Sequence, residues 1–246
     1  MVRDGRIRTG PLRRGAGLSG VLLMVAIGGL GAWWAAKVVW PTVVPKRFVT
    51  VIDGEMYRSG ELSPAALSNM IEKHGIRTVI DLGAFKEGTK EDALQQRTAD
   101  AMGATRYRFK LYGDSGGNPN HYAEALRLMT DPANHPVLVH CGAGTERTGC
   151  TIALYRQIYE GQTLEEAFAE ADDRGHSPTR NPKLWYTLDV FTGPVRTSIE
   201  TGEPVELPPG FITYEQWLER GGTVGQPVEL DPVPEAESDP VEPGDG

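Results

Sequence analysis

A histidine-cysteine pair, His140-Cys141, is followed by five residues and then by Arg147-Thr148-Gly149. Cysteine is scarce in this chain, with 2 in 246 residues, so its placement here calls for a chemical reading. Gly142 and Gly144 lie inside the interval, and glycine reaches positive φ without steric cost. Successive backbone N–H groups can then turn inward and form an anion nest. A helix expected to begin at Arg147 adds the partial positive charge of its N-terminus. The Arg147 guanidinium can close the ring with a two-pronged grip on phosphate oxygens. Helix ends and neighbouring cations favour the thiolate form of a cysteine. Cys141 is thus placed to attack the phosphorus of an anion held in the cradle. A lone cysteine is ordinarily a small buried hydrophobe and a lone arginine a surface charge. The fixed interval between them, behind an apolar run Val137–Val139, is what makes the catalytic reading specific.

The elements that must position this loop are legible from local patterns. Phe48–Ile52 reads as a strand, Asp53-Gly54 as a hairpin turn and Met56–Arg58 as the return. Ser63 is an N-cap with Pro64 at the first helical position, and that helix stops at Gly75. Ile76–Leu82 is a buried strand by its β-branched content. A helix from Thr89 to Met102 closes at Gly103, Thr105–Leu111 is a strand, and Pro119–Met129 is a helix. Val137–His140 is the strand that enters the cradle, and Arg147–Glu160 is the helix that leaves it. Thr163 and Glu166 form a capping box, and Pro182–Phe191 is a last helix. Strands alternating with helices predict an α/β fold, a central mostly parallel sheet flanked by helices. Ligands of such sheets bind beyond the carboxyl ends of the strands, where the cradle sits.

His140-Cys141, five residues, and Arg147-Thr148-Gly149 together resemble the signature of the cysteine-based protein tyrosine phosphatase superfamily, its dual-specificity-like group in particular. "DGEMYRSGELSP" at Asp53–Pro64 and "GIRTVIDL" at Gly75–Leu82 resemble that group's entry hairpin and early core strand, so the likeness spans residues 47–192. It implies a cysteinyl-phosphate intermediate and neither metal nor other cofactor. Carried over by position, Cys141 is the nucleophile and Arg147 the phosphate clamp. Gly142, Ala143, Gly144, Thr145 and Glu146 supply backbone amides, and Thr148 offers a hydroxyl to the sulfur. His140 either orients the loop from beneath or is a core histidine. The family also uses an aspartic acid on a loop to protonate the leaving oxygen and then activate water. Asp114, in "KLYGDSGGNPN", is the candidate, with Asp81 as a second and more structural one. Glu146 either shuttles a proton or pairs with a neighbouring base. Arg58 either structures the entry hairpin or reaches the substrate. Cys150 either forms a reversible disulfide with Cys141 or is a buried helix cysteine.

Charge is unevenly spread around a net of -8. Arg3, Arg6, Arg8, Arg13 and Arg14 make residues 1–17 basic, and the last twenty residues carry acids without a base. No basic patch lies beyond the N-terminus, which argues against a nucleic-acid partner. Too few cysteines are present for a disulfide framework, and no zinc-type spacing occurs. From Leu18 to Ala36 no residue is charged, and Trp33, Trp34 and Trp40 follow as an aromatic belt would. Residues 18–40 are therefore expected to be a transmembrane anchor. A cleaved leader is the rival, but the tryptophans crowd its cleavage position. Residues 41–46 read as a linker and 47–200 as the catalytic domain. Residues 201–246 read as a proline-, glycine- and acid-rich tail, largely disordered, with Gly210–Arg220 as a docking segment. The arginines before the apolar run predict a cytoplasmic N-terminus and a domain outside the cytoplasm. The first expectation for function is a membrane-anchored protein-tyrosine or dual-specificity phosphatase acting on phosphorylated protein. The alternative is a phospholipid or inositol phosphate phosphatase, disfavoured because no lysine lies within the cradle. A sulfurtransferase loop would be shorter, and a non-catalytic module would not need both Cys141 and Arg147.

Overall fold

A computed structural model of the chain describes residues 18–34, 45–207 and 210–226. Five strands form one sheet in the order β1-β2-β5-β3-β4. They are β1 (Val49–Ile52), β2 (Met56–Ser59), β3 (Thr78–Asp81), β4 (Thr105–Arg108) and β5 (Val137–His140). Only the β1–β2 hairpin is antiparallel; β2–β5, β5–β3 and β3–β4 all run parallel. The expected α/β architecture with a mostly parallel sheet is the one observed.

Alternation along the strands sorts the core into two layers. Tyr57, Val79 and Leu138 face α2 (Pro64–His74) and α3 (Lys90–Ala101), where they meet Leu67, Met70, Ile71 and Ala99. Met56, Ile80, Val137 and Val139 face the other side. There they pack with α4 (Pro119–Thr130), α5 (Glu146–Tyr159), α6 (Leu164–Asp173) and α7 (Lys183–Thr201). Every residue of β5 is buried. Each such aliphatic side chain contributes roughly 1.5–3 kcal/mol through its removal from water. The strand that delivers the cysteine lies at the centre of the sheet, between the equally buried β2 and β3.

Local signals set several boundaries as expected. Ser63 Oγ accepts the Ala66 N–H at 3.1 Å, Pro64 opens α2, and Gly75 closes it at φ 63°. Thr163 and Glu166 form the capping box of α6. Two boundaries differ. The fourth strand ends at Arg108 rather than Leu111, because the chain peels away and Leu111 makes an isolated bridge to Gly117. The last predicted helix runs on to Thr201 through Pro194. Leu184, Leu188, Val195 and Ser198 are buried along it, so tertiary packing overrides the proline. The Gly210–Arg220 segment contains α8 (Tyr214–Glu219), whose Trp217 is fully buried beside Tyr186. Of residues 201–246, read as a largely disordered tail, 208–209 and 227–246 lie outside the described residues.

Of the expected transmembrane anchor over residues 18–40, the structure describes residues 18–34. Among the described residues no helix is long and apolar enough to cross a membrane. The described helix, α1 (Leu18–Trp34), has 17 residues. The rest of the predicted span, 35–40, lies outside the described residues, as do 1–17 and 41–44 of the predicted linker.

Candidate active site

The cradle leaves the carboxyl end of β5 and becomes the first turn of α5. Cys141 is 1% exposed and sits on its floor, accepting the Gly144 N–H at 3.2 Å on Sγ. Gly144 has φ 77°, and a Cβ there would fall 2.6 Å from the Gly60 backbone nitrogen. Only glycine fits this turn, which directs its N–H at the Cys141 sulfur. Thr145 caps α5 without a side-chain hydrogen bond, which leaves the first-turn N–H groups for an anion.

The loop is tied down from behind. Arg58, fully buried, donates from Nη2 to the Gly144 carbonyl at 2.9 Å, and the Glu61 N–H donates to the Gly142 carbonyl at 2.9 Å. Burial lowers the Arg58 pKa, with Glu170 opposing. Arg58 thus anchors the cradle and does not line it. Arg47, at φ 48°, donates to the Ala143 carbonyl at 2.9 Å from the rim.

Arg147 donates from Nη1 to the Leu82 carbonyl at 3.0 Å and also to that of Gly83. A Cβ on Gly142 would lie 3.4 Å from its Nη2, so the guanidinium arches over the start of the cradle. The Leu82-Gly83 turn is itself braced by Asp81, which accepts the Ala84 N–H at 2.7 Å and Arg106 Nη2 at 2.5 Å. Burial raises the Asp81 pKa, but His140, the Ala84 N–H and Arg106 outweigh it and hold the carboxyl below its usual range. Asp81 is a structural brace for Arg147. His140, fully buried and beside Asp81 in the strand register, has its pKa lowered by burial, with Asp81 opposing.

The other predicted residues separate by role. Thr148 is fully buried, and its hydroxyl makes no hydrogen bond to the sulfur or to any other described atom. Glu146 turns its carboxylate away, accepting His176 Nδ1–H at 2.7 Å and Asn181 Nδ2–H at 2.6 Å. It therefore fastens the α6–α7 loop to the cradle. Cys150 is buried, with its pKa pushed up to about 12 by desolvation, so it stays a thiol. Both cysteines are free.

Asp114 stands on the loop between β4 and α4. It lines a depression of about 430 Å³ together with Thr145 and Glu146 from the cradle and Arg47, Arg180 and Asn181 from elsewhere. Its Oδ1 accepts the Gly116 N–H at 2.9 Å, and its Oδ2 lies 3.1 Å from Lys183 Nζ. Burial raises its pKa, but the Gly116 N–H and Lys183 together hold it below the usual carboxylate range. The adjacent Ser115 has φ 70°, and its carbonyl accepts the Tyr122 hydroxyl at 2.8 Å. Sequence reading missed Arg47, Arg180, Asn181 and Lys183, since nothing in their local sequence marks them. They meet only through tertiary packing.

A buried cysteine at the end of β5, a glycine turn that donates an N–H to its sulfur and an arginine one helical turn on agree with a cysteine-dependent phosphatase site on a mostly parallel α/β sheet. The chain belongs to the tyrosine phosphatase family, which matches residues 42–170. It is 32% identical over 122 residues to inositol diphosphatase DSP1 of Oryza sativa subsp. japonica, covering 47% of this chain and 52% of that protein. It is 27% identical over 123 residues to inositol diphosphatase SIW14 of Saccharomyces cerevisiae, covering 47% of this chain and 41% of that protein. The matched region is thus about half the length of these relatives. Among solved structures, the fold resembles the core catalytic domain of the PP-IP phosphatase SIW14 from S. cerevisiae. That likeness has a TM-score of 0.54 at 21% identity and covers 68% of this chain and 98% of that one. TpbA of P. aeruginosa gives a TM-score of 0.52 at 17% identity, covering 63% and 92%.

Proposed function

We propose that the chain hydrolyses phosphate groups of polyphosphorylated inositols through a cysteinyl-phosphate intermediate. The Cys141 sulfur attacks phosphorus, so that an S–P bond forms as the bond to the leaving oxygen breaks. Asp114 in its protonated form gives its proton to that oxygen. Water then attacks the cysteinyl phosphate, Asp114 takes the water's proton, and the S–P bond breaks to release phosphate. Arg147 and the amides of Gly142 to Glu146 follow the phosphoryl group through both steps, where charge stabilisation is worth most.

The observation that carries the substrate class is the depression that adjoins the cradle at Thr145 and Glu146. Arg47 and Arg180 line it from outside the loop. The cradle itself holds no lysine, which at sequence level favours phosphoprotein over inositol phosphate. The structure brings cations from two separate segments instead, Arg47 from one and Arg180 from the other, with Lys183 of that second segment paired to Asp114. Such a site suits a substrate with further phosphates next to the one removed. The relatives named inositol diphosphatases support the same reading. Release of phosphate from a diphosphoinositol polyphosphate should exceed that from a phosphotyrosine peptide by roughly tenfold or more in kcat/KM, about the effect of one added charge-assisted contact. A preference for the peptide would return the chain to protein substrates.

A further inference from the structure

The candidate acid is tied up. A general acid must carry a proton when the leaving group departs. Asp114 instead has Oδ1 occupied by the Gly116 N–H and Oδ2 by Lys183, 3.1 Å away. Lys183 is the first residue of α7, 69 positions along the chain from Asp114. Its ammonium also lies 5.1 Å from the ring centre of Tyr214 on α8. The contact is tight: a Cβ on Gly116 would meet Asp114 Oδ1 at 2.9 Å and Lys183 Nζ at 3.0 Å. Yet the pair is not sealed, since the Asp114 side chain is 47% exposed and that of Lys183 is 24% exposed.

Lysine is a point charge with three donors on a flexible stem, so it can change partners with little loss of geometry. A phosphate dianion beside it attracts it about twice as strongly as one carboxylate at equal distance. The remaining charges around Asp114 are Arg47, Arg180 and Glu146 in the depression and Glu215 on α8. Arg47 is already engaged with the Ala143 carbonyl and Glu146 with His176 and Asn181. Lys183 is therefore the cation whose departure changes the state of Asp114.

We propose that Lys183 is a specificity-determining residue that leaves Asp114 for a second phosphate of the substrate, so that the acid is released when a polyphosphorylated substrate is seated. The inference rests on the reading of Asp114 as the acid and of the substrate as polyphosphorylated. A monophosphate offers no second anion and leaves the pair closed. A polyphosphate draws Lys183 away, and Asp114 then takes a proton from solvent and delivers it to the leaving oxygen.

The test is Lys183→Met in the full chain, with phenyl phosphate and a diphosphoinositol polyphosphate as substrates. For phenyl phosphate, kcat/KM should rise roughly threefold or more near neutral pH, and the pH at which it declines should move upward, since Asp114 is no longer held ionised. For the polyphosphate it should fall by roughly tenfold, chiefly through KM, as a charge-assisted contact is lost. In an Asp114→Asn background the rise on phenyl phosphate should vanish, and Lys183→Arg should restore the wild-type preference. A parallel fall on both substrates, or no change on either, overturns the proposal. If Lys183→Met lowers the melting temperature, Lys183→Gln is measured in its place against the same outcomes. Wild-type protein that leaves the polyphosphate untouched overturns the substrate reading. Release of the acid is then judged on phenyl phosphate alone, where the absence of a rise overturns it as well.

Discussion

The cradle and the acid loop face the same depression but are built in opposite ways. Cys141 to Arg147 is one unbroken stretch, clamped by a buried strand before it and a buried helix after it. Its carbonyls are held by Arg58 and the Glu61 N–H, both from the neighbouring strand and the turn that follows. The acid loop lies outside the regular sheet, and its aspartate is half-exposed. What holds it comes from afar: Tyr122 on α4 and Lys183 on α7. Binding a phosphoryl group through a fixed set of donors needs rigidity, because preorganised donors do not reorganise as charge develops. Delivering a proton at the right moment needs a group whose partner can change. The two constructions match those two tasks.

The largest effect should come from the middle of the rigid part. Cys141→Ser should abolish turnover of phenyl phosphate while the melting temperature stays close to that of the wild type. Serine retains the shape but is a far weaker nucleophile there. Turnover near the wild-type rate would remove the covalent step and with it the meaning of the cradle.

At a pH acidic enough to protonate Asp114, Asp114→Asn should lower kcat on phenyl phosphate by roughly 10²–10⁴, the usual worth of general acid catalysis. The loss should shrink with a nitrophenyl ester, whose leaving group departs without a proton. In the wild type the Gly116 N–H and Lys183 hold Asp114 below the usual carboxylate range. The protonated form that acts as acid is therefore lost as pH rises through that low value. The activity of the free protein on a poor monophosphate leaving group should accordingly decline from acidic pH upward. An effect of Asp114→Asn that is equal for both leaving groups would assign the acid elsewhere.

Gly144→Ala should cost about 1–3 kcal/mol of stability, the range of a strained positive-φ position, and in addition press on the Gly60 backbone. A melting curve checks it. Gly113→Ala, in the acid loop, serves as the contrast, since a Cβ there meets nothing within 4 Å. If both substitutions cost the same, the cradle is no more rigid than the loop that faces it.

Much of the catalytic side was legible before any coordinates. The Cys141–Arg147 interval, the glycines within it, the strand before and the helix after are consecutive, and backbone sterics and hydrogen bonding act between near neighbours. For the same reason Ser63, Pro64 and Gly75 marked both ends of α2. The alternative for Glu146, pairing with a neighbouring base, was stated correctly in kind, but its partners His176 and Asn181 were not nameable. The long α7 was cut short at Phe191 because Pro194 ordinarily breaks a helix, and only the buried face of that helix outweighs it. The apolar run at the N-terminus was read from its length without charge, whereas the described helix covers 17 residues of it.

By itself, then, the amino-acid order determined the loop from Cys141 to Arg147 and the mostly parallel sheet that presents it, since each depends on contacts within a few residues or on the alternation of apolar side chains. Tertiary structure alone decided that Arg47 and Arg180 line the same depression as Asp114, that Asp81 braces the turn holding Arg147, and that Asp114 is paired to a lysine 69 residues away. Those placements follow from how helices pack across a sheet. Electrostatic forces between side chains act through space, without regard to their separation along the chain.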